Sequence, residues 1–377
     1  MKVLYVTTII GTIEAFLIPH IKLLTDLGHE VHIACNGACS ISAELSKLIN
    51  KAYDVEFKRS PFEKENFAAY VKLKNIISLE KYDLVHTHTP VASFLTRLAC
   101  RNIPNTKILY TAHGFHFYKG APLKNWIIYY AMERLVARWT DAIITINNED
   151  FQRAKKMPIR KKGKAYLIPG IGVDIVKFKP ISQQQKNALR KEYGFKEDDF
   201  LLIYAAELNH NKNQVFLINT IALLKERIPN IKLLLAGEGE LKYEYISLVN
   251  SLNLNKEVIF LGFRKDLDKL IPMCDIGVSA SRREGFGINV VEYLACGLPV
   301  VVSDNRGHRE IVHNQVNGFL FEKENITQFI GIIEKLYKDI ELRNRTGGVA
   351  RHYSYDYGIE KSLAAMESIY REWNQCY

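Results

Sequence analysis

The sequence lacks the features that define several large classes of protein. It contains no run of about 18 consecutive apolar residues, so a membrane-spanning helix is not expected. Glycine and proline are few, at 22 and 11 of 377 residues, and 47% of the chain is hydrophobic, which excludes collagen-like and disordered chains. The cysteines show no paired short spacing that would indicate zinc, and they are typical of a reduced cytosolic protein. They are Cys35, Cys39, Cys100, Cys274, Cys296 and Cys376.

The apolar start of the chain is too short for a secretion signal. Val3–Ile10 follows Lys2, but Thr7 and Thr8 interrupt it and no cleavage site of small residues comes after it. We interpret this segment as a first buried strand. The expected location of the protein is therefore the cytoplasm.

The positive charge is concentrated in the first half of the chain. Residues 1–180 contain 26 Lys and Arg against 15 Asp and Glu, whereas residues 181–377 contain 25 against 26. Such an excess can be an ordinary solvated surface without a specific function. The functional interpretation is contact with anionic lipid at the inner face of the cell membrane or with a phosphorylated acceptor. No recognition module for nucleic acid accompanies it, so nucleic acid is not an expected partner. The densest cations are Arg153, Lys155, Lys156, Arg160, Lys161, Lys162 and Lys164.

Short β-branched runs alternate with longer helical patterns along the whole chain. Amphipathic segments such as Ile13–Leu27, Trp126–Arg138, Gln214–Arg227 and Val290–Ala295 separate the runs. Continuous apolar strands between helices predict parallel sheets covered on both faces, hence an α/β fold. The predicted strands form two series: Val3–Thr8, Glu30–Cys35, Asp83–His88, Lys107–Thr111, Ala142–Ile146 and Ala165–Ile168, then Phe200–Ala205, Lys232–Ala236, Val258–Leu261, Ile276–Ser279 and Val300–Ser303.

Two series of strands predict two doubly wound, Rossmann-like domains that share a cleft. At about 150 residues per domain the length also favours two domains. Pro169–Pro180 interrupts the periodicity, so we expect one domain over 1–175 and a second over 176–356. The final segment, 357–377, predicts a helix over Tyr357–Trp373, and its two alternatives are packing on the second domain or crossing back to the first. Ligands of such sheets bind at the carboxyl ends of the strands.

The most informative motif runs from Arg283 to Val300, after one predicted strand and into a helix. Gly285 and Gly287 allow the backbone to approach a ligand, and the helix N-terminus offers free N–H groups to a phosphate. Glu284 precedes the helix and Glu292 lies inside it, so both carboxylates can accept hydrogen bonds from hydroxyls of one elongated ligand. Sugar hydroxyls fit this arrangement. A Gly-x-Gly turn alone would indicate only an ordinary turn.

Together with the Gly297-x-Pro299 ending, the motif resembles that of family 4 glycosyltransferases of the GT-B fold. Further segments along nearly the whole chain resemble the same family. One of them, Pro122–Trp126 with Arg138–Asp141, is similar to enzymes of bacterial capsular and exopolysaccharide synthesis. The others are Asp83–Pro90, Thr111–Phe117, Ile168–Asp174, Gly237–Gly239 and Leu261–Phe263.

The resemblance implies a retaining transfer from a nucleotide sugar, without metal or other cofactor. It implies that Lys212 neutralises the diphosphate, that Glu284 binds hydroxyls of the donor sugar, and that His113 lies near the reacting carbon; these three are the expected catalytic residues. Glu292 would hold the ribose and Arg264 would lie beside the base. The remaining expected donor-binding residues are Gly11, Thr12, Asn209, Gly237, Gly285, Phe286, Gly287, Ile288 and Asn289.

Two positions depart from the family's pattern. The family usually has an arginine five residues before the phosphate lysine, and this chain has Glu207 there. The first loop usually carries two glycines, and here only Gly11-Thr12 follows the first strand. The charge of the diphosphate must then be met by Lys212, by helix N-termini or by another cation.

No acidic residue of the acceptor-side motifs stands out as a nucleophile. We therefore expect same-face attack, in which the leaving phosphate helps to take the proton of the acceptor. UDP-sugar is the expected donor, with GDP-sugar as its main rival. The acceptor implied by the resemblance is a polyprenyl-diphosphate-linked glycan, and the oligomeric state is left open. The aromatic residues Phe115, Phe117, Tyr118, Trp126, Tyr129 and Tyr130 suit a peripheral membrane enzyme, although core packing is equally consistent with them.

Three other functions remain to be weighed. A nucleotide-sugar epimerase would share the architecture but needs acid and base carboxylates that the sequence does not identify. A non-catalytic nucleotide-sugar-binding protein would not need the lysine and the paired glutamates. A nicotinamide dehydrogenase would need Gly-x-Gly-x-x-Gly after the first strand, and residues 9–14 do not have it. His86 and His88 point to one face of a strand, but no carboxylate or cysteine near them completes a metal site.

Overall fold

A computed structural model describes residues 1–58, 60 and 63–374. Cys376 lies outside the described residues, and the other five cysteines are free thiols. The chain divides into two compact units: Met1–Ile171 with Ile359–Tyr377, and Gly172–Gly358. Each is built around one parallel sheet, which confirms the predicted class of two doubly wound, Rossmann-like domains.

The first unit contains, within the described residues, a seven-stranded sheet in the order β3-β2-β1-β4-β5-β6-β7. All neighbouring strands are parallel. The central strands β1, β4 and β5 are buried except for half-buried residues at some of their ends, as expected for apolar strands of a parallel sheet. The strands are β1 Lys2–Ile9, β2 Glu30–Asn36, β3 Lys51–Asp54, β4 Leu84–His88, β5 Lys107–Ala112, β6 Ala142–Thr145 and β7 Lys164–Leu167.

The helices of the first unit include two π-helical turns. The first, Ile13–Leu17, joins α1 to α2 directly after β1, and the second, Trp126–Tyr130, joins α6 to α7. Such turns are rare and occur frequently at functional sites. A 3₁₀ turn spans Ala38–Ser40. The helices are α1 Ile10–Thr12, α2 Ile18–Asp26, α3 Ala43–Ser46, α4 Glu65–Glu80, α5 Pro90–Ala99, α6 Leu123–Asn125, α7 Ala131–Ala137 and α8 Asn148–Ala154.

The second unit has a six-stranded parallel sheet in the order β10-β9-β8-β11-β12-β13, counted over the described part of the chain. Its strands are β8 Phe200–Ala205, β9 Ile231–Ala236, β10 Val258–Gly262, β11 Ile276–Ser279, β12 Val300–Ser303 and β13 Phe319–Phe321. Its helices are α9 Gln183–Glu192, α10 Gln214–Leu224, α11 Lys242–Ser251, α12 Leu267–Leu270, α13 Ile288–Ala295, α14 Arg306–Ile311, α15 Ile326–Lys338 and α16 Ile340–Ser354, followed by a 3₁₀ turn at Tyr355–Tyr357.

The last helix, α17 (Ile359–Asn374), belongs to the first unit although it follows the second one in sequence. Its Tyr370 hydroxyl is 2.7 Å from Nδ1 of His86, and its Ser362 hydroxyl donates to the carbonyl of Gly170 at 2.8 Å. These buried polar contacts attach the helix to the sheet. Over the residues that the structure describes, no helix has the length and hydropathy needed to cross a bilayer.

Candidate functional site

The carboxyl edge of the second sheet brings together most of the predicted donor-binding residues. Asn209 and Lys212 lie in the loop after β8, and Glu284 lies in the loop after β11, its hydrogen-bonded neighbour in the sheet. The two loops are tied to each other, since Nδ2 of Asn211 donates to the carbonyl of Arg283 at 3.0 Å. Within the first loop, the Lys212 amide donates to Oδ1 of Asn209 at 3.0 Å.

Lys212 and Glu284 form an ion pair at this edge. Nζ of the lysine is 2.5 Å from Oε1 of the glutamate, and only 23% and 12% of the two side chains are exposed. Burial disfavours both charges, but the partner's charge outweighs it in each case. The pKa of Glu284 is therefore held below its usual value and the pKa of Lys212 above it. Both groups are ionised at neutral pH.

A network of hydroxyl groups beneath the pair holds Glu284 in place. The hydroxyl of buried Ser281 donates to Oε1 of Glu284 at 2.6 Å. Its oxygen is also 2.7 Å from the hydroxyl of Tyr204, which donates to the Lys212 carbonyl at 3.1 Å. Ser303 in turn donates to the Ser281 carbonyl at 2.6 Å. These residues were not predicted, because isolated serines and a tyrosine form no recognisable pattern in the sequence.

The loop 284–287 is seated on the start of α14. Gly307 makes this possible, since a Cβ there would lie 2.7 Å from the backbone nitrogen of Phe286 and 2.9 Å from the Glu284 carbonyl. Gly287, which precedes α13, has a φ of 112° that favours glycine. The loop therefore depends on two glycines, of which the sequence predicted only Gly287.

His308 lies beneath Gly287 and was not predicted. Its Nδ1 is 2.7 Å from the Ser303 carbonyl, so Nδ1 carries a proton. Nε2 is buried and has no hydrogen-bond partner among the described residues. Burial lowers the pKa of His308 to about 4, against the charge of Glu284. The ring is therefore neutral and contributes a lone pair, not a charge, next to the loop.

Glu292 lies one turn inside α13, half-buried. In the described part of the chain no donor is hydrogen-bonded to its carboxyl group. Burial raises its pKa to about 8, with Lys177 acting in the opposite direction. A desolvated carboxyl without a donor is suited to receive hydroxyls from a ligand. Its neighbours Ile288 and Asn289 occupy the first turn, and Nδ2 of Asn289 donates to the carbonyl of Ala205 at the end of β8.

The loops after β9 and β10 continue the same edge. A Cβ on Gly237, whose φ is 159°, would collide with the Ala206 carbonyl, so this loop packs directly on the one after β8. Arg264, after β10, donates to both carboxylate oxygens of Asp266. Its guanidinium is thus already engaged within its own loop. Glu207, at the position of the family's arginine, is exposed.

The carboxyl edge of the first sheet carries a second group of predicted residues. His113 follows β5 and is succeeded by Gly114, whose φ is 133°. Burial and the nearby His20 lower the pKa of His113 to about 4. Gly11 and Thr12 follow β1, but they form the first turn of α1 and not the loop that we expected. The chain enters the helix at once, so that turn presents free N–H groups at this edge.

Contacts from other segments correct the view of the basic stretch 153–164. Arg153 pairs with Glu149, Arg160 with Asp141 and Lys164 with Glu372. Glu149 lies one helical turn before Arg153 in α8, whereas Asp141 and Glu372 come from other elements. The exposed cations left in the stretch are Lys155, Lys156, Lys161 and Lys162.

The aromatic residues near this stretch are mainly packing residues. Phe115 and Phe117 are buried and stacked at 4.7 Å, and Tyr130 meets Phe117 edge-on. Trp126 and Tyr129 pack against the same cluster. Membrane contact through Phe115 and Phe117, as the sequence allowed, is therefore wrong.

Comparison with known proteins places both units in one group of enzymes. Residues 14–175 match the family described as Glycosyltransferase Family 4, and residues 185–353 match Glycosyl transferases group 1. A protein of Bacillus subtilis (strain 168) named "Putative glycosyltransferase EpsD" is 42% identical over 98% of this chain and 96% of its own length. An Escherichia coli "UDP-Gal:alpha-D-GlcNAc-diphosphoundecaprenol alpha-1,3-galactosyltransferase" is 26% identical over 93% of this chain and 90% of its own. The crystal structure of Anabaena Alr3699/HepE in complex with UDP-glucose superposes with a TM-score of 0.80 at 22% identity, covering 98% of this chain and 100% of that one.

Proposed function

Since the chain belongs to glycosyltransferase family 4 and is a transferase of the GT-B fold, we propose that it moves a hexosyl or N-acetylhexosaminyl group from a UDP-sugar to a lipid-linked glycan during capsule or exopolysaccharide synthesis. The observation that carries the proposal is the half-buried ion pair of Lys212 and Glu284, beside the helix that bears Glu292, whose carboxyl group has no hydrogen-bond donor among the described residues. A cation, a fixed carboxylate and a free carboxyl match the diphosphate, the sugar and the ribose of one donor.

UDP is the proposed nucleotide. The name of the E. coli relative specifies a UDP-sugar donor, and the Anabaena structure contains UDP-glucose. In this chain, Glu292 would accept hydrogen bonds from the ribose hydroxyls, and the Phe286–Ile288 backbone would contact sugar or phosphate. Glu284, already oriented by Ser281, would accept from hydroxyls of the transferred sugar.

The proposed reaction breaks the bond between the anomeric carbon and the diphosphate oxygen. The electron pair of that bond stays on the diphosphate, which Lys212 and the N-terminus of α13 stabilise. The acceptor hydroxyl attacks from the same face and its proton passes to the leaving phosphate, so the anomeric configuration is retained. No cofactor or metal takes part in this proposal.

The proposed acceptor is a polyprenyl-diphosphate-linked glycan at the cytoplasmic face of the membrane. The diphosphoundecaprenol in the name of the E. coli relative supports this class of acceptor. In this chain, the segment Leu123–Arg138 supports peripheral attachment. Its exposed residues include Leu123, Ile127 and Leu135, which are 74%, 65% and 43% exposed, together with the cations Lys124, Arg134 and Arg138.

The exposed face of that segment carries no acidic residue. Glu133, the only acid between residues 123 and 138, is buried against Arg97. Apolar and cationic side chains on one helix face are typical of binding to an anionic lipid surface. Lys155, Lys156, Lys161 and Lys162 supply further exposed charge in the same unit.

The test is nucleotide release from a panel of UDP- and GDP-sugars, with and without a lipid-linked glycan extract. Acceptor-dependent release from one donor, lost in Glu292→Ala and kept in the surface control Glu226→Ala, would support the transfer. An isomerised nucleotide sugar in the absence of acceptor would instead indicate an epimerase. Nucleotide binding without any turnover would indicate a binding protein.

A further inference from the structure

His113 is hydrogen-bonded to a second histidine, His88, which has no role in the reaction proposed above. His88 ends β4, next to β5 in the sheet, and its Nδ1 is 3.0 Å from Nε2 of His113. The two rings are nearly parallel, at an angle of 25°. His88 is 2% exposed, so the contact is shielded from water. Burial keeps both rings neutral, because it lowers the pKa of each below its usual value.

Two neutral imidazoles can share one hydrogen bond in two ways. Either His88 Nδ1–H donates to Nε2 of His113, or His113 Nε2–H donates to Nδ1 of His88. The choice is decided by the other nitrogen of His88. Nε2 of His88 is buried and has no hydrogen-bond partner among the described residues. In the first arrangement it is an unused lone pair, and in the second it is an unsatisfied N–H group.

Orphaned buried N–H groups are rarer in proteins than under-used acceptors. The first arrangement is therefore favoured. We propose that His88 is a positioning residue that donates from Nδ1 to Nε2 of His113, and thereby fixes the proton of His113 on Nδ1. His113 then offers a neutral N–H donor at the carboxyl edge of the first sheet. It can hold a hydroxyl or a developing negative charge, but it has no free lone pair with which to act as a base.

The strand end that bears His88 is held in a costly conformation. The next residue, Thr89, has a φ of 62°, which is a strained value for a β-branched side chain. Its hydroxyl oxygen accepts from the Thr8 amide at 3.0 Å and lies 2.7 Å from the Thr8 hydroxyl. These contacts anchor the end of β4 to the end of β1. The residue that follows His88 is thus held in place by Thr8.

The neighbouring His86 provides a natural contrast. It is equally buried, but its Nδ1 faces the Tyr370 hydroxyl at 2.7 Å and its Nε2 faces Thr111 Oγ1 at 2.8 Å. Both nitrogens have partners, and neither of them is hydrogen-bonded to His113. The ring centroids of His86 and His88 are 4.3 Å apart, so His86→Gln is a control for changing a buried histidine that contacts His88 without bonding to His113.

The tautomer can be measured without any substrate. In ¹⁵N-labelled protein, long-range ¹H–¹⁵N spectra distinguish a protonated from an unprotonated imidazole nitrogen, and the spectrum of His113→Asn assigns the ring of His113. We expect a protonated Nδ1 and an unprotonated Nε2. A protonated Nε2 on His113 in the wild-type protein would overturn the proposal.

Variants test the role of His88 in the pair. His88→Asn retains an amide donor near the position of Nδ1 and should keep the His113 tautomer, whereas His88→Leu should lose it; His86→Gln should leave it in place. The catalytic consequence rests on the proposed function: kcat should fall about tenfold in His88→Leu, the effect of one lost hydrogen bond, with recovery in His88→Asn and little change in the KM of the donor.

The two proposals can fail separately. If no donor is turned over, the proposed function fails and the spectra still decide the tautomer. If His88→Leu folds, keeps the Nδ1 proton of His113 and transfers sugar at the wild-type rate, His88 has only a structural role. Should the leucine variant not fold, the wild-type spectrum and His88→Asn remain decisive.

Discussion

Lys212 and Glu284 are 72 positions apart in the sequence, yet Nζ and Oε1 lie 2.5 Å from each other at the end of two neighbouring strands. The pair gives the second unit a cation that is already oriented before any donor binds. The same carboxylate oxygen of Glu284 also accepts a hydrogen bond from Ser281. Binding of a diphosphate must therefore compete with, or extend, an existing ion pair.

Removing the cation of this pair tests its role directly. We expect Lys212→Ala to lower kcat by about 10²–10³-fold, because it removes a fixed positive charge from the leaving diphosphate. Single-turnover rates with the donor identified by nucleotide release are the measurement. The double variant Lys212→Ala/Glu284→Gln should lose much less than the product of the two single effects, since the side chains act as a unit. Strictly multiplicative losses would mean that the two residues act independently.

Glu292 should give donor binding a pH dependence of known sign. Its pKa is about 8 in the free protein, so at pH 7 the carboxyl group is mainly protonated. If the ribose hydroxyls bind the carboxylate form, UDP binding must release a proton at pH 7 and tighten as the pH rises through 8. Calorimetry in two buffers of different ionisation enthalpy measures the release. Glu292→Gln should abolish it, and proton uptake in the wild type would contradict the assignment.

The buried histidines should make the fold sensitive to mild acid. Burial lowers the pKa of His20, His86, His88, His113 and His308. The unfolded chain therefore binds these protons first, near pH 6.5, while the folded protein takes them up only near pH 4 at His113 and His308. We expect the melting temperature to be level with respect to these groups above pH 6.5 and to fall between 6.5 and about 4. His20→Gln should make the fall in melting temperature between pH 6.5 and about 4 less steep, as measured by calorimetry. An unchanged pH dependence would show that His20 does not contribute to it.

Gly307 is expected to affect the donor loop only because it has no side chain. Gly307→Ala would push its Cβ against the backbone of Phe286 and Glu284, so the KM of the donor should rise by about tenfold or more. Gly331 in α15 is the matched control, because a Cβ there meets no atom within 4 Å. Gly331→Ala should leave the KM unchanged and stabilise the helix by about 0.4–1 kcal/mol. Equal KM values for the two variants would show that Gly307 does not affect donor binding.

Membrane attachment is expected to depend on the exposed face of Leu123–Arg138. Leu123→Gln/Ile127→Gln and the charge variant Lys155→Gln/Lys156→Gln/Lys161→Gln/Lys162→Gln should each reduce co-sedimentation with vesicles containing anionic lipid, while UDP affinity stays the same. Leu223→Gln/Tyr243→Gln, two exposed residues of the second unit, is the control and should bind vesicles like the wild type. Binding that is unaffected by either first-unit variant would count against the membrane proposal.

Most strands that were predicted correctly have continuous apolar sequence, because burial on both faces leaves a direct mark on composition. The edge strands β7 and β10 were also predicted, although neither is buried along its length. The two strands that were missed are the other two edge strands. β3 (Lys51–Asp54) is nowhere fully buried, and β13 (Phe319–Phe321) has only three residues. Neither has the length or the apolar run by which a buried parallel strand is identified.

In the candidate site, too, the sequence identified only residues that belong to a recognisable local pattern. Lys212, Glu284 and Glu292 belong to segments with a recognisable order of residues, so the sequence could identify them. Ser281, Gly307 and His308 act through contacts that exist only after β11, β12 and α14 come together. The pairing of Arg160 and Lys164 with distant acids is also a tertiary effect, and for that reason net charge counted along the chain overstated the free charge of the basic stretch.

The return of α17 to the first unit has a consequence for synthesis on the ribosome. The sheet of that unit is complete once residue 167 has been made, but Tyr370, which caps His86, is made 284 residues later than His86 itself. Until α17 (Ile359–Asn374) has been made, the first unit lacks the helix that contacts His86, while the second unit already has its whole sequence. The nascent chain therefore finishes its second domain before its first, and a stop codon that removes only the last helix would damage the earliest-made half of the protein.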